Sequence, residues 1–301
     1  MKTHRLVAAA TVACVILGSC AVIRAASKVQ TVLSSEEDPE IAAAALPTFI
    51  MASEALLEAD PTNQDKAVTT ASLYVMYANA FVQGPASAFP DARFEEKQVA
   101  FDRAGALYRR AFRLLAAALD RRSPGVVEAA VAGKPDLSRM RKADVPLLYW
   151  SAVSTLAGFG LNPLDFKSAR YLGTAPLFLA RAAALDPGWN AGAIYGIYMS
   201  YYAGMPDFLG GDLGKAEDAY KKALGYSKGG TASLFVSYAS SICVPKEDLA
   251  GYKAALGKAL AIDPNTAPES RLETVIAQKN ARRLLAEAEK YFIIPEGEPE
   301  Q

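Results

Sequence analysis

The chain has 301 residues, 51% of them hydrophobic, with 32 basic residues balanced by 32 acidic ones and a single histidine, His4. That length suits one large domain or two small ones, and the balance gives no global field to draw the chain to nucleic acid or to anionic lipid. With no histidine after residue 4, the rest of the chain excludes histidine-based acid–base catalysis, Ser-His-Asp and Cys-His nucleophiles and almost every zinc site.

Lys2, His4 and Arg5 make a basic start, and an apolar run follows from Leu6 to Leu17. At about a dozen residues it suits a signal-peptide core and falls short of the ~20 needed to cross a bilayer. It closes on Leu17-Gly18-Ser19-Cys20, which resembles the bacterial lipobox. The expectation is cleavage before Cys20, acylation of its thiol and a body held outside the cytoplasm, on the inner or the outer membrane. Two or three acyl chains, at roughly 0.8 kcal/mol per buried CH₂, make such an anchor stable. Cleavage removes two of the 32 basic residues, Lys2 and Arg5, and none of the acidic ones. Cys14 goes with the signal and Cys20 is lipidated, so Cys243 has no partner for a disulfide and reads as a small core residue. The expected layout is a signal peptide at 1–19, a lipidated tether at 20–35, one all-helical domain at 36–294 and a disordered acidic tail at 295–301.

The tether ends in "SSEEDPE", Ser34 to Glu40. Its serines, acids and proline signal a helix start. Beyond it apolar residues recur at three- and four-residue spacing, and β-branched alternation is missing, which predicts an all-α protein. The predicted helices are 38–59, 66–83, 92–121, 124–131, 144–160, 173–186, 190–204, 212–226, 230–243, 246–262 and 268–290. The breaks between them, such as "QGPASAFPD", "GLNP", "DPGWN" and "GMPDFLGG", are rich in Gly, Pro, Asn and Asp. No apolar run after the signal approaches the ~20 uncharged residues of a membrane span.

The helices repeat. Three end alike, at Asp60-Pro61, Asp186-Pro187 and Asp263-Pro264, because proline supplies no N–H to continue the helix. With small residues at Ala216 and Ala223 around Tyr220, this fits the second helix of a tetratricopeptide-like hairpin. The spacing is not a strict period of ~34, so about four degenerate hairpins with extra helices are expected. A second repeat sets large side chains at i, i+3, i+7: Tyr74-Tyr77-Phe81, Tyr195-Tyr198-Tyr202 and Phe235-Tyr238-Ile242. Each forms one stripe of a helix, either core or the lining of a central cavity.

Several features carry no chemistry. "GGDLGKA", Gly210 to Ala216, misses the phosphate-loop spacing and lacks the Mg²⁺-binding Ser or Thr, so it reads as a loop and helix cap. No cofactor or metal site is expected. Asn79 in an apolar helix either bonds across the fold or faces a wet cavity. Gln278, Lys279, Asn280, Arg282 and Arg283 crowd the last helix, and Lys134, Arg139, Arg141 and Lys142 make a basic loop. Both read first as solvated surfaces.

The stretches "EEDPEIAAAALPTFIMASEALLEADP", "YANAFVQGPA", "DVPLLYWSA", "VSYASSICVP" and "AIDPNTAPESRLETVIAQKNARRLLAEAEKYF" occur in that order from about Ser34 to Phe292. Together they resemble the family of TRAP-transporter-associated T-component lipoproteins, tripartite ATP-independent periplasmic transport being the process named. Ser270 stands where the family pattern has Asn, and its neighbour Arg271 is in place. The resemblance implies a non-enzymatic periplasmic lipoprotein with cryptic tetratricopeptide-like repeats, associated with the solute-binding P component. It implies self-association as a trimer and a cavity or pore that hands a small hydrophobic ligand, such as an apolar acid, to that partner. Tyr77, Asn79, Phe81, Tyr149, Trp150, Tyr195, Tyr198, Tyr238, Gln278 and Arg282 are the candidates for the ligand path. The alternative is an envelope scaffold whose repeat groove binds a protein or peptide partner and no small ligand.

Overall fold

A computed structural model describes residues 31–293. The expected signal peptide, the lipidation site Cys20 and the acidic tail lie outside the described residues. Within them every regular element is a helix: α1 Pro39–Glu58, α2 Gln64–Tyr77, α3 Phe94–Arg122, α4 Val126–Val131, α5 Val145–Leu161, α6 Phe166–Ala169, α7 Thr174–Leu185, α8 Trp189–Gly204, α9 Leu213–Tyr226, α10 Ala232–Tyr238, α11 Leu249–Ala261 and α12 Arg271–Ala286, with one further α-helical turn at Gly84–Ser87 and short π and 3₁₀ segments between.

Local chemistry sets these bounds. Asp38 caps α1 by accepting the Glu40 N–H at 2.8 Å, with Pro39 in the first turn. Asn63, Asp212, Thr231 and Asp248 cap α2, α9, α10 and α11 in the same way. The "GGDLGKA" stretch is therefore the cap of α9, as expected, with Asp212 accepting the Lys215 N–H at 2.9 Å. Helices α7 and α11 stop just before Asp186-Pro187 and Asp263-Pro264.

Three departures from the expected helices matter. The predicted helix 66–83 is α-helical only to Tyr77 and then widens into a π-helical segment, Ala78–Gln83. Helix α10 does the same over Ala239–Cys243. The two segments follow matching sequence, "LYVMYA" and "LFVSYA", and such π segments cluster at functional sites. In the third departure, Asn190, Ala191 and Gly192 at the head of α8 form a left-handed turn, with φ of 46°, 53° and 81°. Left-handed backbone costs roughly 1–2 kcal/mol at a non-glycine residue. Gly192 is required there twice over, since an added Cβ would also lie 2.6 Å from Tyr226 Cβ.

Consecutive long helices pack as pairs: α2 with α3, α5 with α7, α8 with α9 and α10 with α11. Helix α1 lies against α2, and α12 covers α10 and α11. The largest buried cluster joins α1, α2, α3, α5 and α7 around Leu46, Tyr108, Leu115, Leu148 and Phe178. A smaller one sits between α8 and α9, and another fills α10 to α12 around Tyr252 and Leu256. Leu272 of α12 belongs to the largest cluster, and Arg271 donates to the Ser35 carbonyl at 3.3 Å. The last helix thus returns to the first.

Among the described residues α1 is the one helix long and apolar enough to cross a membrane by length and composition. It also takes part in the fold. Leu46 and Ile50 are buried in the core, and Glu54 accepts from Arg110 at 2.5 Å. The basic loop is tied down as well: Lys142 pairs with Asp186 at 3.1 Å, and Arg141 donates to the Ser138 carbonyl at 2.6 Å.

Candidate functional site

Helix periodicity places Tyr195, Tyr198 and Tyr202 on one side of α8, and there they form a continuous aromatic row. Tyr198 stacks on Tyr202 with centroids 5.7 Å apart and planes 10° from parallel. Tyr195 lies 6.4 Å from Tyr198 and stacks on Tyr226 of α9 at 5.4 Å. Nearby, Tyr220 of α9 stacks on Tyr238 of α10 at 4.0 Å. These rings are half-buried apart from the exposed Tyr226. Burial, before any other cause, raises the pKa of Tyr195, Tyr198, Tyr220 and Tyr238, so all four stay neutral phenols near neutral pH. No hydrogen bond to the hydroxyls of Tyr198 or Tyr202 is made among the described residues. The rings pack against the cluster between α8 and α9, so each side chain combines an apolar body with an unpartnered polar tip.

Tyr149 and Trp150, at the head of α5, belong to a second cluster. Tyr149 packs edge-on to Trp150 at 5.1 Å and against Trp189 at 4.7 Å. The left-handed turn after Trp189 sets where that indole and the axis of α8 part. Burial first, then the charge of Glu273 on α12, raises the Tyr149 pKa. Glu273 accepts from Ser233, so the cluster lies where α5, α8, α10 and α12 converge.

The remaining candidates fall elsewhere. Tyr77 and Phe81 pair at 6.3 Å on α2 and its π segment, and Arg103 donates to the Tyr77 hydroxyl at 3.1 Å. Asn79 is exposed. Beneath it the buried Tyr108 hydroxyl donates to Gln83 at 2.6 Å. Gln278 is buried, and its amide donates to the carbonyls of Ala259, Leu260 and Ile262 at 3.2, 3.2 and 2.7 Å. It closes the C-terminal end of α11, where helix carbonyls otherwise lack partners. Arg282 is exposed on α12. Cys243 is buried, and burial pushes its thiol up to about 11, as befits a core residue.

None of the ten candidates lines a cavity of about 770 Å³ between α3 and α5. Sequence reasoning missed its residues. The available signal was "YRRAFR", Tyr108 to Arg113, where Arg109 and Arg113 lie four apart on one face and Phe112 beside them.

Comparison with known proteins bears on this arrangement. The chain is 33% identical to an uncharacterized protein of Treponema pallidum (strain Nichols) over 267 residues, which are 87% of this chain and 83% of that one. Residues 35–292, which include all of α1 to α12, match the family of TRAP transporter T-components. That family is transport-associated and non-catalytic in kind, and it suggests an envelope location. On the extent of that match, the chain belongs to the TRAP transporter T-components.

Proposed function

We propose that this T-component is a periplasmic lipoprotein, anchored through Cys20, that associates with the solute-binding P component of its transporter and helps bind or pass a small hydrophobic ligand. The observation that carries the reading is the family match across residues 35–292. The hairpins act as degenerate tetratricopeptide-like repeats of one domain, and the chain self-associates as a trimer. The aromatic row on α8, continued by Tyr220 and Tyr238, supports a ligand path, because it offers flat apolar faces together with the unpartnered hydroxyls of Tyr198 and Tyr202.

Native mass spectrometry tests the association. The full chain carrying Cys20→Ser, which removes the thiol to be acylated, is mixed with the solute-binding protein encoded beside it. A homo-oligomer carrying one or more copies of that partner is the expected result. A bare monomer in the presence of the partner sinks the reading.

The path is tested with a neutral fluorescent apolar probe, N-phenyl-1-naphthylamine. Tyr198→Ala and Tyr238→Ala each weaken its binding about tenfold or more, while the chain keeps its helical content and cooperative melt. If binding falls only in step with unfolding, the stripes are core and line no path.

A further inference from the structure

We infer that the cavity between α3 and α5 is a second binding site, separate from the aromatic row, and that it takes a carboxylate carried on an apolar body. The cavity measures about 770 Å³, within the range of small-molecule sites. Its floor is apolar: the rings of Phe112 and Tyr171 lie 4.8 Å apart, and Gly158 lines it alongside them. At its mouth the ring of Phe166 is 88% exposed, an apolar lip in water.

Four cationic side chains line this apolar space: Arg109, Arg113, Lys167 and Arg170. Two of them are matched. Arg109 pairs with Asp165 at 3.1 Å, and Arg170 pairs with Glu128 at 2.5 Å. Arg113 and Lys167 form no ion pair among the described residues. Lys167 does lie near enough to Asp165 to help hold that carboxyl below the usual range, after the larger effect of the Ser168 hydroxyl.

A donor inventory decides the ligand's sign. Ser154 and Thr155 both donate to the Ser151 carbonyl, at 3.0 and 2.9 Å, and Ser168 donates to Asp165 at 2.9 Å. Each hydroxyl has one hydrogen, so all three are already committed. The Asp165 carboxylate is equally occupied, accepting from Arg109, from Ser168 and from the Lys167 backbone N–H. Of the hydrogens left free in the cavity, one belongs to the neutral Tyr171 hydroxyl and the rest to guanidinium and ammonium groups. A cation meets repulsion there, and a neutral alcohol, which can bond the Tyr171 phenol or the hydroxyl lone pairs, gains no attraction between full charges. A carboxylate finds two charge-assisted donors above an apolar floor, the arrangement in which such bonds are strongest.

The test uses three eight-carbon probes that differ only at the head: octanoate, octanol and octylammonium. Calorimetric titration of the full chain carrying Cys20→Ser should show one octanoate per chain, with octanol and octylammonium at least about tenfold weaker. The double variant Arg113→Gln/Lys167→Gln alters two exposed side chains and should lower octanoate affinity about tenfold or more while leaving octanol unmoved. Ala106→Phe, at an exposed position on the cavity wall, removes no charge and should weaken octanoate by narrowing the space. Octanol binding as tightly as octanoate overturns the proposal, as does octanoate indifferent to both variants. Displacement of octanoate by equimolar sulfate would make this a plain anion site and overturn the apolar half. The titrations are run in a chain that also carries Tyr198→Ala and Tyr238→Ala, which removes the aromatic path from the readout, and no partner is present, so failure here leaves the transport reading standing.

Discussion

Asp144→Ala lowers the unfolding free energy by about 3 kcal/mol, a large share of a protein's net stability. The Asp144 side chain is 5% exposed and joins three helices. It accepts from Gln64 at the head of α2 at 3.1 Å, from Arg122 at the end of α3 at 3.2 Å and from the Arg141 N–H just before α5 at 2.7 Å. Alanine leaves all three donors without their acceptor. Arg122 and Gln64 are partly exposed and Arg141 is exposed, so each recovers some water, and the loss falls short of what three fully buried, unpaired groups would cost at about 1–3 kcal/mol per donor. Asp144→Asn keeps the shape and one acceptor oxygen, and loses about half as much. Urea unfolding followed by circular dichroism gives the comparison. An unchanged midpoint for Asp144→Ala would show that this junction does not hold the helices together.

Gly211→Ala is the second large effect, about 2–4 kcal/mol, at the upper end of overpacking costs because the clash is with backbone. A Cβ at Gly211 would sit 1.8 Å from the Met205 carbonyl oxygen and 2.7 Å from its carbon. No rotamer relieves that, so the turn from Met205 to Gly211 must open. Opening it breaks the Gly211 N–H bond to Pro206 at 3.0 Å and the Asp212 N–H bond to Tyr202 at 2.8 Å. Asp212 then no longer caps α9, and the aromatic row loses its fixed backing. Gly196→Ala is the contrasting case: it lies within α8, and an added Cβ there meets nothing within 4 Å. It should stabilise the chain by about 0.5–1 kcal/mol through the unfolded state and helix propensity. Thermal melts of the two variants should therefore move in opposite directions. A Gly211→Ala melt that matches the parent would rule out the close backbone approach.

Much of the fold was written locally. Capping residues, Asp-Pro stops and three- and four-residue spacing placed the long helices to within a few residues, because each is a rule about neighbours in sequence. The absence of histidine after residue 4 excluded whole classes of chemistry without reference to shape. The ordered stretches from Ser34 to Phe292 pointed to the family that residues 35–292 match. The π-helical segments escaped, because a shift from i+4 to i+5 hydrogen bonding leaves the residue pattern almost unchanged.

The candidate site was legible only in part. Sequence found the aromatic stripes, since one helix face follows from periodicity alone. It could not tell that Tyr195 would stack on Tyr226, or Tyr220 on Tyr238, because those partners sit on other helices. Gln278 looked like an odd polar residue in an apolar helix, yet it binds three carbonyls at the end of α11, a role fixed by how α12 crosses that end. The cationic cavity was least legible of all, because Arg113 and Lys167 are 54 positions apart in the numbering and meet only when α6 folds back toward α3. Sequence alone determined the helices, their caps and stops, and the chemistry the chain lacks, all of which follow from short-range periodicity and residue type. Tertiary structure alone decided which faces meet, which hydroxyls are already committed and where unpaired charge stands over apolar surface. Those depend on distances between residues far apart along the chain.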